Sequence, residues 1–383
     1  MTDARVSAVL AGVDAEARWR IGVVAKRTYI VHAGQTIESQ DQVALVDAPL
    51  LADDGLQLVH DADVMLRKPM VDVVVQGHVY AHENNRRCNV SIRVGGLRRV
   101  LAVTGDRRLE RDRSGHARFT PPEPFERISL GWERAYGGHD AAALAAYGDP
   151  TEKLRREAGI DSGPIFGLYA YPRNPAGRGY LVELSDDALA RCELPNLEDP
   201  SAMLTPDRMV YGNSLAWPGG PPPASTSWLP YSFFPRLTLL GFPPPMFDAE
   251  AFPAQGFHEV CADLLPARSL AEGINVSTLH DLRCAQGSAP GMRVAQVCAG
   301  DLVELSNVHP NLASWRFPLP SRPPKMLIRI GIEAPRELVP MVRTVLLEPD
   351  LDRLCLVWVG EMVIDMPLTP MQLSNVQHAV LWN

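Results

Sequence analysis

The chain lacks any C-x-x-C pair. Its six cysteines, Cys88, Cys192, Cys261, Cys284, Cys298 and Cys355, do not have the spacing of a disulfide framework. That excludes a disulfide-stapled secreted scaffold and predicts free thiols in a reducing compartment. Residues 1–12 carry Asp3 and have no basic segment followed by a long apolar stretch, so no signal peptide is expected. The apolar run at 354–359 is far too short to cross a bilayer. A cytoplasmic protein that inserts into no membrane is the expectation. Basic residues are in deficit, 37 Lys and Arg against 45 Asp and Glu, for a formal net charge of −8. This argues against a phosphate-backbone footprint and hence against a nucleic-acid partner. Charged residues are only 21% and hydrophobic ones 46%. An apolar interaction surface and a large core both fit those figures.

Proline is abundant, with 34 residues, well above the usual share of about 5%. Proline removes a donor and breaks helix interiors, which leaves few places for long helices. The regular segments read mostly as strands. Residues 20–31 are rich in β-branched side chains. Val71, Val73 and Val75 alternate with Asp72, Val74 and Gln76, and Val90, Ile92 and Val94 alternate with Asn89, Ser91 and Arg93. That is the two-residue period of a half-buried strand. Gly95-Gly96 offers a hairpin turn into 97–103. A two-residue turn would set Arg93 opposite Arg98, and like charges across a pair are unfavourable, so a bulge or longer turn is expected.

The stretch 121–253 contains PPEPF, YPRNPAGRGY, WPGGPPP and FPPP. It reads as long loops packed on a β scaffold, with short helices at 140–147, 151–158 and 186–192. Strands resume toward the C-terminus: Met326, Ile328 and Ile330 alternate with Leu327 and Arg329, and a Glu348-Pro349-Asp350 turn joins 342–347 to 354–359. Thr369-Pro370 starts a helix, with threonine as N-cap and proline at the first helical position. The expected fold is mainly β, with antiparallel sheets of sandwich or open-barrel type and long Pro/Gly-rich loops. Three regions are expected in one compact unit: 1–120 β, 121–270 loop-rich, and 271–383 β with a terminal helix.

Catalytic patterns are incomplete. Gly212-Asn213-Ser214-Leu215-Ala216 approaches the G-x-S-x-G elbow, but Trp217-Pro218-Gly219 follows where a helix is required. His258-Glu259 begins H-E-x-x-H without its second histidine. His78 and His82 are four apart, which on a strand separates them by about 13 Å, too far for one metal. Glu133, Asp140, Glu198 and Asp199 lie in loop-rich segments near aromatics, and a carboxylate pair across a groove would suit a glycosidase. Carboxylates in such loops more often cap backbone N–H groups, and no spacing selects a pair. No catalytic residue, metal or cofactor is expected.

Several segments are punctuated without being catalytic. Phe125–Gly138 reads FERISLGWERAYGG, 174–179 reads NPAGRG, and 194–200 reads LPNLEDP. In them Gly137 and Gly138 permit positive φ, Glu133 and Arg134 can tie a turn by charge-assisted bonds, and Asn and Glu can satisfy loop donors. Together with Trp19, VVAKRTYI at 23–30, KPMVDVVVQGH at 68–78, VTGDR at 103–107 and the hairpin at 342–358, they resemble the domain-of-unknown-function family "twenty-one sixty-nine" of bacterial type VI secretion gene clusters. The motif positions are Lys68, Asp72, Gly105, Asp106, Glu133, Arg134, Tyr136, Gly137, Gly138, Asn174, Gly177, Asn196 and Glu198.

The resemblance implies an effector adaptor or chaperone. Such a protein binds a secreted toxin effector and helps load it onto the spike, which includes VgrG and PAAR proteins. A structural component of the spike is a further reading. Residues 217–270 depart from the family pattern, and partner specificity is expected there. Aromatic and arginine side chains are efficient anchors, so the candidate contacts are Trp217, Trp228, Tyr231, Phe233, Phe234 and Arg236. Their alternative role is to fill the chain's own core.

Overall fold

Trp19–His32 is the longest strand among the described residues, and its β-branched Ile21, Val23, Val24, Thr28, Ile30 and Val31 suit a pleated surface. The computed structural model to which it belongs describes residues 5–13, 18–53, 55–65, 68–81, 85–148, 169–171, 173–209, 220–233, 236, 286–320 and 322–382. Trp19–His32 pairs with Ser7–Val13 on one side and Arg353–Ile364 on the other. The large sheet continues through Met341–Glu348, Val71–Val75 and Arg293–Val294, while Gln35–Glu38 folds back on Trp19–His32. Its pairings are antiparallel except that of Met341–Glu348 with Val71–Val75, which is parallel. Strands from the first and last regions of the chain thus lie side by side in one sheet.

A second sheet of five antiparallel strands runs Leu197–Glu198, Leu97–Thr104, Arg87–Val94, Leu302–Ser306, Ser314–Pro318. Ile21, Val23, Val73, Leu356 and Trp358 of the large sheet belong to the same apolar cluster as Val90, Ile92, Leu101, Leu305 and Phe317 of the second. The two sheets therefore share one core, and no sheet among the described residues closes into a barrel. A third sheet holds Arg336–Leu338, Lys325–Arg329 and Gln377–Leu381, with Met326 and Ile328 buried as their alternation predicts. The fold is mainly β and built of antiparallel sheets, as expected.

Two local expectations are corrected. The Gly95-Gly96 hairpin has no bulge: Val94 pairs with Leu97, Arg93 with Arg98 and Ile92 with Arg99. Repulsion is relieved sideways. Arg93 reaches Glu304 on the neighbouring strand at 3.8 Å, and Arg98 donates to the carbonyls of Gly95 and Leu97 at 2.6 Å each. Val71–Val75 is buried along its whole length rather than on one face. Val71, Val73 and Val75 enter the main core, while Val74 joins a separate cluster on the opposite face with Leu58, Trp228, Leu346 and Cys355. A strand inside a sheet that is covered on both sides has no solvent face for the alternation to report.

Helices are short. Ala141–Tyr147 is N-capped by Asp140 and Asp186–Arg191 by Ser185. Pro370–Ser374 starts from a capping box between Thr369 and Gln372. The expected helix at 151–158 lies outside the described residues. No helix among the described residues is long and apolar enough to cross a membrane.

Candidate functional site

The three punctuated segments meet in one braced knot of loops. Trp132–Arg134 forms a 3-10 turn, Tyr136–Gly137 pairs in parallel with Arg178–Gly179, and Ala135 bridges to Leu197. Two fully buried asparagines hold the segments together. Asn174 donates through Nδ2 to the carbonyls of Trp132 (2.8 Å) and Tyr136 (3.0 Å). Asn196 donates to the carbonyl of Thr104 (3.0 Å) and to Asp106 Oδ1 (2.9 Å), and accepts from Arg134 Nη1 (3.3 Å). Arg178 Nε donates to the Glu133 carbonyl at 2.9 Å. The buried Tyr136 ring stands edge-on to Tyr171.

The glycines are there because backbones touch. Gly137 takes φ +141, and a Cβ on it would lie 2.1 Å from the Asn174 carbonyl oxygen. Cβ atoms on Gly105 and Gly177 would meet the Glu123 oxygen at 1.8 Å and Asn174 Nδ2 at 2.4 Å. Gly138 takes φ +91 and passes the Gly177 carbonyl.

The carboxylates singled out as possible glycosidase groups are mostly committed to this knot. Asp140, buried, accepts from the N–H groups of Ala142 and Ala143 at the helix start and from Val182. Glu198, buried, accepts from Arg107 Nη2 at 2.6 Å and from the N–H of Leu204 at 2.7 Å. Asp199 takes the Ser201 N–H (2.9 Å) and hydroxyl (2.6 Å) on Oδ1 and Arg99 Nη1 on Oδ2 (2.9 Å). Burial works to raise the Asp199 carboxyl, but the two Ser201 hydrogen bonds and Arg99 outweigh it and hold the group below its ordinary value.

Behind the knot, on the face of the large sheet away from the main core, lies a layer of buried charges. Lys68 and Asp72 are paired at 2.8 Å, four residues apart at the start of Val71–Val75. Asp72 also accepts from Gln286 Nε2 (2.6 Å), the N–H groups of Gly287 (2.8 Å) and Ser288 (3.1 Å), and the Ser288 hydroxyl (2.7 Å). Burial alone would raise its carboxyl. The positive charges of Lys68 and Arg293, with the Lys68 and Gly287 hydrogen bonds, reverse that and bring it to about 2.

A second pair joins Arg236 Nη2 to Asp61 Oδ2 at 2.6 Å, and Asp61 Oδ1 accepts from the Tyr231 hydroxyl (2.8 Å) and the Ala62 N–H (2.8 Å). A third joins Lys26 to Asp63 at 2.9 Å. Lys26 also donates to Nε2 of His60, and the other ring nitrogen of His60, Nδ1, donates to the Asp61 carbonyl. Burial pushes the His60 imidazole down, with the nearby Asp63 carboxylate opposing the shift and Lys26 adding to it.

Trp228 stands among these pairs. Its ring packs on His60 with centroids 4.8 Å apart, the Lys68 ammonium lies 5.8 Å from its centre, and its carbonyl accepts from Trp132 Nε1 at 2.7 Å. A hydrogen bond between two tryptophans thus links the buried charges to the loop knot.

These positions correct the expected partner anchors. Trp228, Phe233 and Arg236 are buried within the chain and present no surface to a partner. Phe233 packs edge-on against Trp132, and Arg236 neutralises Asp61. Tyr231 is half-buried with its hydroxyl on Asp61. Trp217 and Phe234 lie outside the described residues, as do Ser214, His258 and His82. His78 is held through Nδ1 by Asp350 Oδ2 at 2.6 Å, and Asp350 also accepts from the Tyr80 hydroxyl. Sequence reasoning passed over Asp61, Asp63, Gln286 and Ser288, which carry no motif. Lys26 and Asp72 were visible as charges inside apolar strand segments, a pattern that marks buried pairs.

Between the knot and the second sheet opens a cleft of about 290 Å³, lined among others by Arg99, Arg173, Asp199, Pro223, Phe233 and Pro290. Arg99 comes from the interior of Leu97–Thr104, Asp199 follows Leu197–Glu198, and the Arg173 guanidinium lies 5.4 Å from the centre of the Phe233 ring.

The family described as "Uncharacterized protein conserved in bacteria (DUF2169)" matches residues 16–359. No curated protein and no solved structure matches the chain significantly.

Two predictions follow from this geometry. Gly137→Ala meets both a left-handed φ and a blocked Cβ, whereas Gly115→Ala, at φ +84, has nothing within 4 Å. Urea unfolding should show the first losing over about 2 kcal/mol and the second about 1 kcal/mol from backbone strain alone; equal losses would contradict the close approach. Asp72 has a folded pKa below its unfolded one, so its contribution is complete above a pH of about 4 and is lost as pH falls toward about 2. Asp72→Asn should cost roughly 3–5 kcal/mol at neutral pH by stranding the Lys68 charge, and should flatten the acid dependence across that window. Unfolding midpoints measured from pH 2 to 7 check both effects.

Proposed function

The chain belongs to the DUF2169 family, and from that membership and the construction of its cleft we propose that it works by binding: it is the cytoplasmic adaptor that holds a toxic type VI secretion effector and helps load it onto a VgrG or PAAR spike. One observation carries the binding reading. Asp140 and Glu198, the buried carboxylates of the loop region among the described residues, are saturated by backbone donors and by Arg107. A general acid or base must exchange a proton with its substrate and so must keep a free oxygen within reach of it. Groups used as braces do not meet that condition, whereas rigid loops around a cleft meet the needs of recognition. The reading calls for no metal and no cofactor.

Co-expression with a type VI toxin effector from the same bacterium should yield a single complex that survives gel filtration. Two separate peaks would sink the proposal. Capture of the spike protein in the toxin's absence would instead assign the chain to the spike as a structural component.

A further inference from the structure

We propose that the outer edge of Ser7–Val13 takes up an extended segment of the client polypeptide as an added strand. This deepens the adaptor reading, and it rests on that reading for the source of the segment.

The register shows which backbone groups are free. Ser7–Val13 lies at the end of the large sheet and pairs with Trp19–His32 alone. In an antiparallel pair, alternate residues turn both N–H and C=O toward the neighbouring strand, and the residues between them turn theirs away. The Lys26 N–H bonds to the Val6 carbonyl at 2.9 Å, and the register continues with Ala8 opposite Val24 and Leu10 opposite Gly22. Even-numbered residues therefore face inward, and Ser7, Val9 and Ala11 face outward. A second bond fixes the same phase: the odd-numbered Val31 turns its N–H away from this side, to the Asp352 carbonyl at 2.7 Å. The Leu45 N–H takes the Arg5 carbonyl, and the cover that the chain supplies to this edge ends there. Among the described residues, none pairs with the main-chain N–H or C=O of Ser7, Val9 or Ala11.

An unpaired edge is a liability that folds blunt with charge, proline, brevity or cover. The other ends of the two large sheets show those devices. Arg293–Val294 and Leu197–Glu198 are two residues long, and Ala135 bridges to Leu197. Ser314–Pro318 ends in proline, and a Cβ on Gly34 would lie 3.4 Å from its Arg316 carbonyl oxygen. Ser7–Val13 reads SAVLAGV, with no charge, no proline and no bulge in its register. An edge left long and bare where its counterparts are closed is built to be paired.

The edge selects its occupant. Outward N–H and C=O groups at every second residue match another extended backbone. On one face Ala8 and Leu10 join Val24, Leu45 and Val359 in an apolar cluster, while Ala11 on the other face is exposed. An added strand that alternates apolar with neutral polar side chains extends the cluster and leaves its second face in water. A charged side chain beside Leu10 would lose hydration without gaining a partner. A second copy of the chain fits less well. Pairing through this edge alone covers a strip about 24 Å long and about 10 Å thick, on the order of 240 Å² a side, against about 800 Å² per partner in a stable interface. A client segment that runs on past the edge can add contacts beyond it.

The test follows amide hydrogen exchange by NMR in the full chain, with and without acetyl-Thr-Val-Thr-Val-Thr-Val-amide. In the free protein the amides of Ala8 and Leu10 should be protected, and those of Val9 and Ala11 should exchange freely. The peptide should slow Val9 and Ala11 at least tenfold and saturably, and acetyl-Thr-Lys-Thr-Lys-Thr-Lys-amide should not. Ala11→Pro deletes an outward N–H and breaks no bond to Trp19–His32. It should keep the fold and weaken peptide binding, read at Val9, at least tenfold. Ala11→Thr keeps the N–H and should bind as the wild type does.

The proposal fails if Val9 and Ala11 are already protected in the free protein, if the Thr-Val peptide leaves them unprotected, if both peptides act alike, or if folded Ala11→Pro binds undiminished. Protection that grows with protein concentration in the absence of peptide also overturns it, since the occupant is then a second copy. Co-expression with the toxin separates the two claims. Toxin retained by Ala11→Pro overturns the edge as the client's seat and spares the adaptor. Peptide uptake at the edge without any toxin complex in the wild type overturns the adaptor and spares the edge.

Discussion

Asp72 is fully buried on a strand whose other members are valines, and the arrangement around it follows from the need to keep that charge satisfied. An isolated carboxylate in such a place would take up a proton rather than stay charged. Lys68 supplies the counter-charge from four residues away, and Gln286, Gly287 and Ser288 supply the remaining donors from more than two hundred residues along the chain. Residues 286–288 can sit only where those donors reach. Their position in turn sets Trp228, through the bridge to Ser288 and the bond from the Leu229 N–H to the Gly287 carbonyl. A Cβ at residue 287 would lie 2.5 Å from Asp61 and 3.1 Å from the Trp228 ring, so the chain passes there only as glycine.

From Trp228 the constraint runs outward. Its carbonyl holds Trp132, Trp132 packs on Phe233, and the turn at Trp132–Arg134 is the start of the braced knot. Asn174 and Asn196 complete that knot by pinning three loop segments with amide hydrogens. Loops of this length would otherwise be floppy, and a floppy loop makes a poor binding wall. Buried polar side chains give loops fixed positions that apolar packing alone does not specify, because an amide accepts only a few directions of approach. The cleft inherits its geometry from both sides: Arg99 and Asp199 from the second sheet and its edge, Arg173 and Phe233 from the knot.

The motif residues and the proposed contact residues therefore play different parts. Gly137, Gly177, Asn174, Asn196 and Glu198 are internal to the knot. Trp228, Phe233 and Arg236, which composition and location suggested as anchors for a partner, hold the interior together instead. Arg99 and Arg173, which line the cleft, belong to no motif. A motif built of glycines and amides reports a demanding backbone path, and the path shapes a surface without being the surface.

Much of the scaffold was legible residue by residue. The alternation of Val90, Ile92 and Val94 marked a half-buried strand, Pro349 marked the closing hairpin, and Thr369-Pro370 marked a capped helix, because each depends on neighbours a few residues away. The Gly95-Gly96 turn was misjudged because Glu304, which offsets Arg93, lies on a strand more than two hundred residues on. Valine alternation in Val71–Val75 could not tell one buried face from two.

By itself the sequence determined a mainly β chain of antiparallel sheets, the places of its turns and caps, and its family. Only the tertiary structure decided which aromatics face inward, which carboxylates are saturated, and that Arg99, Arg173 and Asp199 line one cleft. Those outcomes rest on contacts between segments far apart in the chain, and burial and charge pairing are properties of the neighbours a residue acquires on folding.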